Sequence, residues 1–306
     1  MKSETFYKTR PVIITGANGQ VGKEIVNLFA SQKIPMLPFD RKGLDISDRS
    51  RVEEIILSEQ PSLVINPAAY TAVDLAEKEQ EKAFLINAEG VKNLADTCAK
   101  VSIPLFHIST DYVFDGEKDT PYSEDDQTAP QGAYGRSKLK GEKILRKILP
   151  EHIILRTSWV FGRYGKNFVK TILRLGSERE ELRIVSDQRG CPTPAQDIAW
   201  VMKILAEKFL KEKILFWDTY HYAGTPGVTW FEFAQAVLEE AHSLGMLPKM
   251  PSLYAITTSK YPTPAKRPAN SQLNCDKIRK TFGLEARSWR PGLIEVLKGI
   301  KKGDEA

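Results

Sequence analysis

Tyr134 and Lys138 lie four residues apart in Tyr-Gly-Arg-Ser-Lys, and of the ten tyrosines only Tyr134 has a lysine at that spacing. On a helix, positions i and i+4 stack on one face. An ammonium beside a phenol favours the phenolate and draws its pKa down from about 10 toward working pH. Such a tyrosine can donate a proton to a carbonyl oxygen as hydride reaches the carbon, then reload. Ser109-Thr110-Asp111 brings hydroxyls that either bond the same carbonyl or cap the end of a strand. Asn87 sits among Phe84, Leu85, Val91 and Leu94. It reads as a polar residue bonding backbone or as the anchor of a water leading to Lys138.

A hydride carrier is suggested by Gly16-Ala17-Asn18-Gly19-Gln20-Val21-Gly22, a GxxGxxG loop. Glycines there permit a tight turn and let backbone N–H groups approach a pyrophosphate at a helix N-terminus. A P-loop does not fit, because Lys23 is followed by Glu24 and position 17 is Ala. Asp40, 18 residues beyond Gly22, is placed to accept from ribose hydroxyls, which favours NADH. Arg41 and Lys42 follow at once and suit a 2′-phosphate, which favours NADPH. Asp45-Ile46 either meets the adenine or caps a turn.

The elements that must position these groups alternate in type. Short apolar runs at 12–15, 36–40, 63–66, 105–110 and 153–157 read as strands. Amphipathic stretches at 21–30, 47–57, 77–100 and 134–148 read as helices, the second capped by Ser47 or Asp48. Strands too apolar to face water, separated by helices, predict an α/β fold with a Rossmann-like, doubly wound parallel sheet. Beyond residue 158 the rhythm loosens. Helices are expected near 167–175, 197–210, 230–243 and 293–301, short strands at 183–186 and 220–223, and ordered loops at 191–194 and 261–268. The division expected is an NAD(P)-binding part at 1–160, to which about 190–225 returns, and a smaller α/β substrate-binding part at 161–306.

Composition removes other classes. The 306 residues are 42% hydrophobic and carry a net charge of +5, with no basic stripe of the kind a nucleic-acid binder shows. The basic run at 138–147 alternates with Leu139, Ile144 and Leu145 like the wet side of a helix. Cys98, Cys191 and Cys275 form no CxxC pair, and the four histidines form no HExxH, so disulfide scaffold, zinc knuckle and zinc hydrolase are set aside. No apolar run is long enough to span a bilayer, and residues 1–10 lack the apolar middle of a signal peptide. A reduced, cytoplasmic protein without membrane or nucleic-acid partners is expected.

Together these motifs resemble the extended short-chain dehydrogenase/reductase superfamily, and within it the dTDP-4-dehydrorhamnose reductase family. The likeness runs from the glycine loop to Leu273 through Gly19-Gln20-Val21-Gly22, Thr71-Ala72-Val73-Asp74, 109–114, 156–160 and 261–268. It implies that Thr110, Tyr134 and Lys138 are catalytic. The dinucleotide would meet Gly16, Asn18, Gly19, Gln20, Val21, Asp40, Arg41, Asp45, Ile46, Ala68, Ala69, Tyr70, Asn87, Tyr134 and Lys138. Thr71, Val73, Thr110, Asp111 and Trp159 would contact a dTDP-sugar, although a tryptophan after a buried strand also reads as core. Arg267 either binds the diphosphate bidentately or is a surface-loop arginine. Tyr70 and Cys191 depart from the family's histidine and alanine. The resemblance also implies reduction of a C4 ketone by NADPH or NADH, and it associates the family with Mg²⁺ and homodimers, although surface glutamates such as Glu24 establish neither. Rival readings are another 4-keto-sugar reductase, a 4,6-dehydratase (for which only half the acidic signature follows Thr110), a non-catalytic subunit resembling the beta subunit of methionine adenosyltransferase, and a bare NAD(P)-binding scaffold.

Overall fold

The computed structural model describes residues 10–213 and 215–303; the polar stretch at 1–9 lies outside them. In chain order the first part comprises β1 (Val12–Ile14), α1 (Gln20–Ser31), β2 (Met36–Pro38), α2 (Arg49–Glu59), β3 (Leu63–Asn66), α3 (Val73–Ala76), α4 (Gln80–Phe84), α5 (Gly90–Lys100), β4 (Leu105–Thr110), α6 (Ala133–Ile148) and β5 (His152–Thr157). The second comprises β6 (Val160–Phe161), α7 (Phe168–Glu178), β7 (Glu181–Val185), β8 (Arg189–Gly190), β9 (Thr193–Pro194), α8 (Ala195–Glu212), β10 (Asp218–His221), β11 (Val228–Thr229), α9 (Trp230–Ser243), β12 (Ser252–Ile256), α10 (Asp276–Phe282) and α11 (Trp289–Lys301).

Six strands form one parallel sheet in the order β10-β5-β4-β3-β1-β2. Side chains alternate across it, so each strand feeds two cores. Val12, Ile14, Ile65, Phe106, Ile153 and Leu155 pack with Ile25 and Phe29 of α1 and with Ile198, Met202 and Leu205 of α8. Ile13, Val64, Leu105 and Ile154 face the opposite layer, made by Val52 and Ile56 of α2, Val91 and Leu94 of α5, and Leu145 of α6. A third core, centred on Val169, Ile172, Phe233, Val237, Leu293 and Val296, joins α7, α9 and α11 over β7. Among the described residues no helix is long and apolar enough to cross a membrane.

One expected helix is broken. The stretch 77–100 divides into α4, a wide π turn at Leu85–Glu89, and α5, with α3 a separate short helix before it. The break serves packing. The Asn87 carbonyl lies so close to α6 that a Cβ at Gly141 would collide with it. The basic run at 138–147 also differs from expectation, since Lys138 and Leu139 are buried and only Lys140, Lys143, Arg146 and Lys147 face solvent.

Candidate active site

The chain reverses direction across the sheet between β1 and β3, which is where open α/β sheets bind ligands outside their strands' carboxyl ends. A cleft of about 840 Å³ opens there. Its floor at the glycine loop is set by backbone geometry. Gly16 has φ +54°, and a Cβ there would come within 2.8 Å of the Ala68 Cα; a Cβ at Gly22 would collide with the Gly16 carbonyl. α1 begins at Gly19 with no side-chain cap and no acid in its first turn. Its open N–H groups and positive dipole end therefore face the cleft uncompensated, which suits a diphosphate.

Gly16, Asn18, Gly19, Gln20, Val21, Asp40, Arg41, Asp45, Ile46, Ala68, Ala69, Tyr70, Thr71, Val73, Thr110, Asp111, Tyr134, Lys138 and Trp159 all line this cleft. The far wall of the loop after β2 is pre-shaped. Asp40 accepts from the amides of Lys42 and Gly43 at 2.9 Å and from Asn18 Nδ2 at 2.9 Å. Asp45 caps its turn through Ser47 and holds Arg41 at 2.9 Å, leaving the arginine 67% exposed.

Two expected contacts do not line the cleft. Asn87 is fully buried and clasps the Tyr70 backbone, accepting from its N–H at 2.8 Å and donating to its C=O at 3.0 Å, with Ser137 as a third partner. Both N–H groups of its amide and one lone pair of its oxygen thus hold the Tyr70 wall and α6. Arg267 is pinned by Asp74 at 2.5 Å and by the Tyr112 hydroxyl at 3.2 Å, which fastens the 261–268 loop to α3. That pairing uses two of the five N–H donors of its guanidinium.

At the end of β4, Thr110 accepts from the Tyr112 amide and donates to Asp111 Oδ1 at 2.9 Å, and its hydroxyl also bonds Tyr134. Ser109 is committed elsewhere, donating to Glu142 at 2.5 Å. The Tyr112 ring meets Tyr134 edge-on at 5.6 Å. The phenol of Tyr134 departs from the expected shift: burial pushes its pKa up, and Lys138 is not among the groups acting on it. Lys138 Nζ turns instead to the Ile108 carbonyl at 2.7 Å and His107 Nε2 at 3.2 Å. Burial brings Lys138 down to about 8, with the Glu142 charge opposing.

Asp111 is buried with Oδ2 unpartnered, and burial raises its carboxyl to about 7. The folded chain therefore holds this proton more tightly than the unfolded one. Its stabilising contribution is complete below the unfolded value near 4 and is lost as pH rises through about 7. Relative to the native protein, Asp111→Asn should gain about 2.5 kcal/mol between pH 5 and pH 8 in urea denaturation. A difference independent of pH would show that Asp111 titrates normally.

Trp159 adopts φ +45°, a left-handed conformation costing a bulky residue roughly 1–3 kcal/mol. Its indole is held by a parallel stack on Trp230 at 3.3 Å and by donation from Nε1 to Ser271 at 3.1 Å. Gly190 packs so closely that a Cβ would overlap the ring. Gly190→Ala should therefore displace Trp159 and raise the substrate KM about tenfold or more, with a drop of about 1–3 kcal/mol in stability. Unchanged KM in that variant would detach Trp159 from substrate binding. Sequence reasoning missed Trp230, Ser271 and His107; the available signal was polar Asn66 and His107 inside otherwise apolar strand runs.

No group of three or more His, Cys, Asp or Glu side chains among the described residues is arranged for a metal ion. Glu24 is buried rather than on the surface, with Arg163 at 3.5 Å. The three cysteines are unpaired thiols.

The family model for the RmlD substrate binding domain matches residues 10–302. The chain is 44% identical over 286 residues to a dTDP-4-dehydrorhamnose reductase of Aggregatibacter actinomycetemcomitans, covering 93% of this chain and 97% of that protein. The crystal structure of a dTDP-4-dehydrorhamnose reductase from Clostridium acetobutylicum superposes with a TM-score of 0.88 at 37% identity, covering 95% of this chain and 99% of that one. One from Bacillus anthracis, solved in complex with NADP, gives 0.87 at 37% identity with the same coverage.

Proposed function

The chain belongs to the dTDP-4-dehydrorhamnose reductase family, and from that premise we infer that it reduces the C4 ketone of dTDP-4-dehydro-L-rhamnose to dTDP-L-rhamnose, the last step in making that activated sugar. The observation that carries the reading is the meeting of Thr110, Tyr134 and Lys138 at the strand ends, in one cleft with an uncapped glycine-loop helix.

A bound nicotinamide supplies the hydride. The residues do the rest. Burial keeps Tyr134 as the neutral phenol, the form an acid needs before it protonates the C4 oxygen. Thr110, bonded to the same phenol, orients that oxygen. Lys138, with two contacts spent on β4, has a remaining N–H for the ribose and for returning a proton to Tyr134. Asp111, Trp159, Thr71 and Val73 line the part of the cleft proposed for the sugar nucleotide. Asp40 already serves three protein donors while Arg41 stays exposed beside it, which supports NADPH over NADH through the 2′-phosphate. On the same reading residues 161–306 supply most of the sugar-nucleotide side, the protein works in the cytoplasm, and a homodimer is the assembly to test by sedimentation.

The test is nicotinamide oxidation, followed by absorbance, with the keto-sugar generated in the cuvette by the upstream epimerase and NADPH and NADH run in parallel. Rapid oxidation yielding dTDP-L-rhamnose supports the assignment. Tight cofactor binding without oxidation rejects it, and would point to a different keto-sugar or to a regulatory subunit.

A further inference from the structure

Behind Lys138 a line of polar side chains crosses the sheet interior. Thr15 Oγ1 donates to Asn66 Oδ1 at 2.5 Å, Asn66 Nδ2 meets His107 Nδ1 at 3.0 Å, and His107 Nε2 meets Lys138 Nζ at 3.2 Å. All four residues are buried, and Asn66 and His107 are direct cross-strand partners on β3 and β4. Their neighbours Ile14, Ile65 and Phe106 are apolar. Replacing a matched buried polar group and its partner by apolar groups is often neutral or stabilising, so packing alone does not require this chain. Its two ends are functional places: Thr15 precedes the glycine loop, and Lys138 faces the cleft.

Counting hydrogens shows what the line can do. His107 stays neutral, because burial and the Lys138 charge push its pKa well below the ordinary value. It therefore keeps one ring proton, on one nitrogen or the other. With Thr15 donating to Asn66, the Asn66 N–H points at Nδ1, so the ring proton sits on Nε2 and is aimed at Nζ. Only a lysine amine has the lone pair to receive it. An ammonium needs the reverse: Nε2 bare, Nδ1 protonated, and the Asn66 amide turned to offer its oxygen.

We propose that His107 is a positioning residue for Lys138 whose tautomer follows the lysine's charge, with Asn66 and Thr15 as its backing. The proposal rests on the reading that Tyr134 and Lys138 carry the proton chemistry. One proton separates the two arrangements, and Lys138 loses it; His107 holds one ring proton in both. Nζ thus keeps a partner at the end of β4 whether charged or not, and Ile108 is its second anchor. The other ionisable groups around this line are Tyr134 and Glu142 on α6, Arg156 and His152 on β5, and Asp111 past β4. Glu142 is spent on Arg156 and Arg146.

The experiment is histidine ¹⁵N NMR of the full chain from about pH 6 to 10, a range bracketing the lysine, with His107→Gln assigning the His107 ring. The expected result is a change from Nδ1–H to Nε2–H that vanishes in Lys138→Met. A single tautomer throughout, or a change that survives Lys138→Met, overturns the proposal. In kinetics, His107→Phe should lose about tenfold or more in kcat and move the pH limb, with NADPH affinity within about twofold. His107→Gln, whose amide can offer either oxygen or N–H, should recover most of that loss. Native kcat and pH profile in His107→Phe would also overturn it. If the unmodified chain reduces no keto-sugar, the functional reading fails, while the NMR result still decides this one.

Discussion

Tyr134→Phe should lower kcat about 10²–10⁴-fold, the range expected when a general acid is removed. The NADPH dissociation constant should stay within a few-fold. The phenylalanine ring keeps the edge-on contact with Tyr112 and the packing of α6 against the site, so only the hydroxyl and its bond to Thr110 are lost. Single-turnover absorbance of nicotinamide oxidation separates this from a binding defect, since the chemical step should slow while the cofactor still saturates. Turnover that survives would move the acid to Asp111, the cleft carboxyl that burial raises to about 7.

Arg156→Met should cost about 3–5 kcal/mol in urea denaturation at pH 7, because it leaves a buried carboxylate only the partly exposed Arg146 and the Ser109 hydroxyl as partners. Glu142 and Arg156 are almost wholly inaccessible and joined by two bonds, at 3.0 and 2.7 Å. Burial alone would raise the Glu142 pKa, but Arg156, Arg146 and Ser109 hold it below its ordinary value. Its stabilising contribution is therefore present above the unfolded pKa and is lost as pH falls through the folded one. The effect of Arg156→Met should shrink in acid. Adding Glu142→Gln should restore a large part of the stability at pH 7, since the undercompensated buried charge rather than the lost pair carries the cost. A double variant no better than Arg156→Met would mean that Arg156 acts through packing on Phe114, 5.1 Å from its ring.

The strands of the sheet were readable because strands buried on both faces appear as continuous apolar runs, and Leu63–Asn66 and Leu105–Thr110 match to the residue. The glycine loop and Tyr134–Lys138 were readable because their spacing is local. What stayed hidden was non-local. Nothing near Arg267 in sequence announces Asp74, 193 positions away, as its partner. Asn87 shows no sign that both ends of its amide would be taken by Tyr70. β12 pairs with β7, and α10 packs beneath the sheet through Ile278, but both are short and weakly periodic alone. The Tyr134 pKa was misjudged because i, i+4 spacing places Lys138 on the right face but does not fix where its flexible stem ends.

The wide turn at Leu85–Glu89 also sets a rule about length. A π turn amounts to one extra residue slipped into an α-helix. Deleting one of those five positions would restore regular winding with the flanking helices nearly in phase, but the wide turn that carries Asn87 outward would close. Asn87 or its surroundings would swing off Tyr70, and the carbonyl beside Gly141 would be withdrawn from α6. Exposed positions such as Leu85, 47% accessible, should accept many substitutions yet no deletion. The width of this one turn, more than its composition, keeps one wall of the cleft in place.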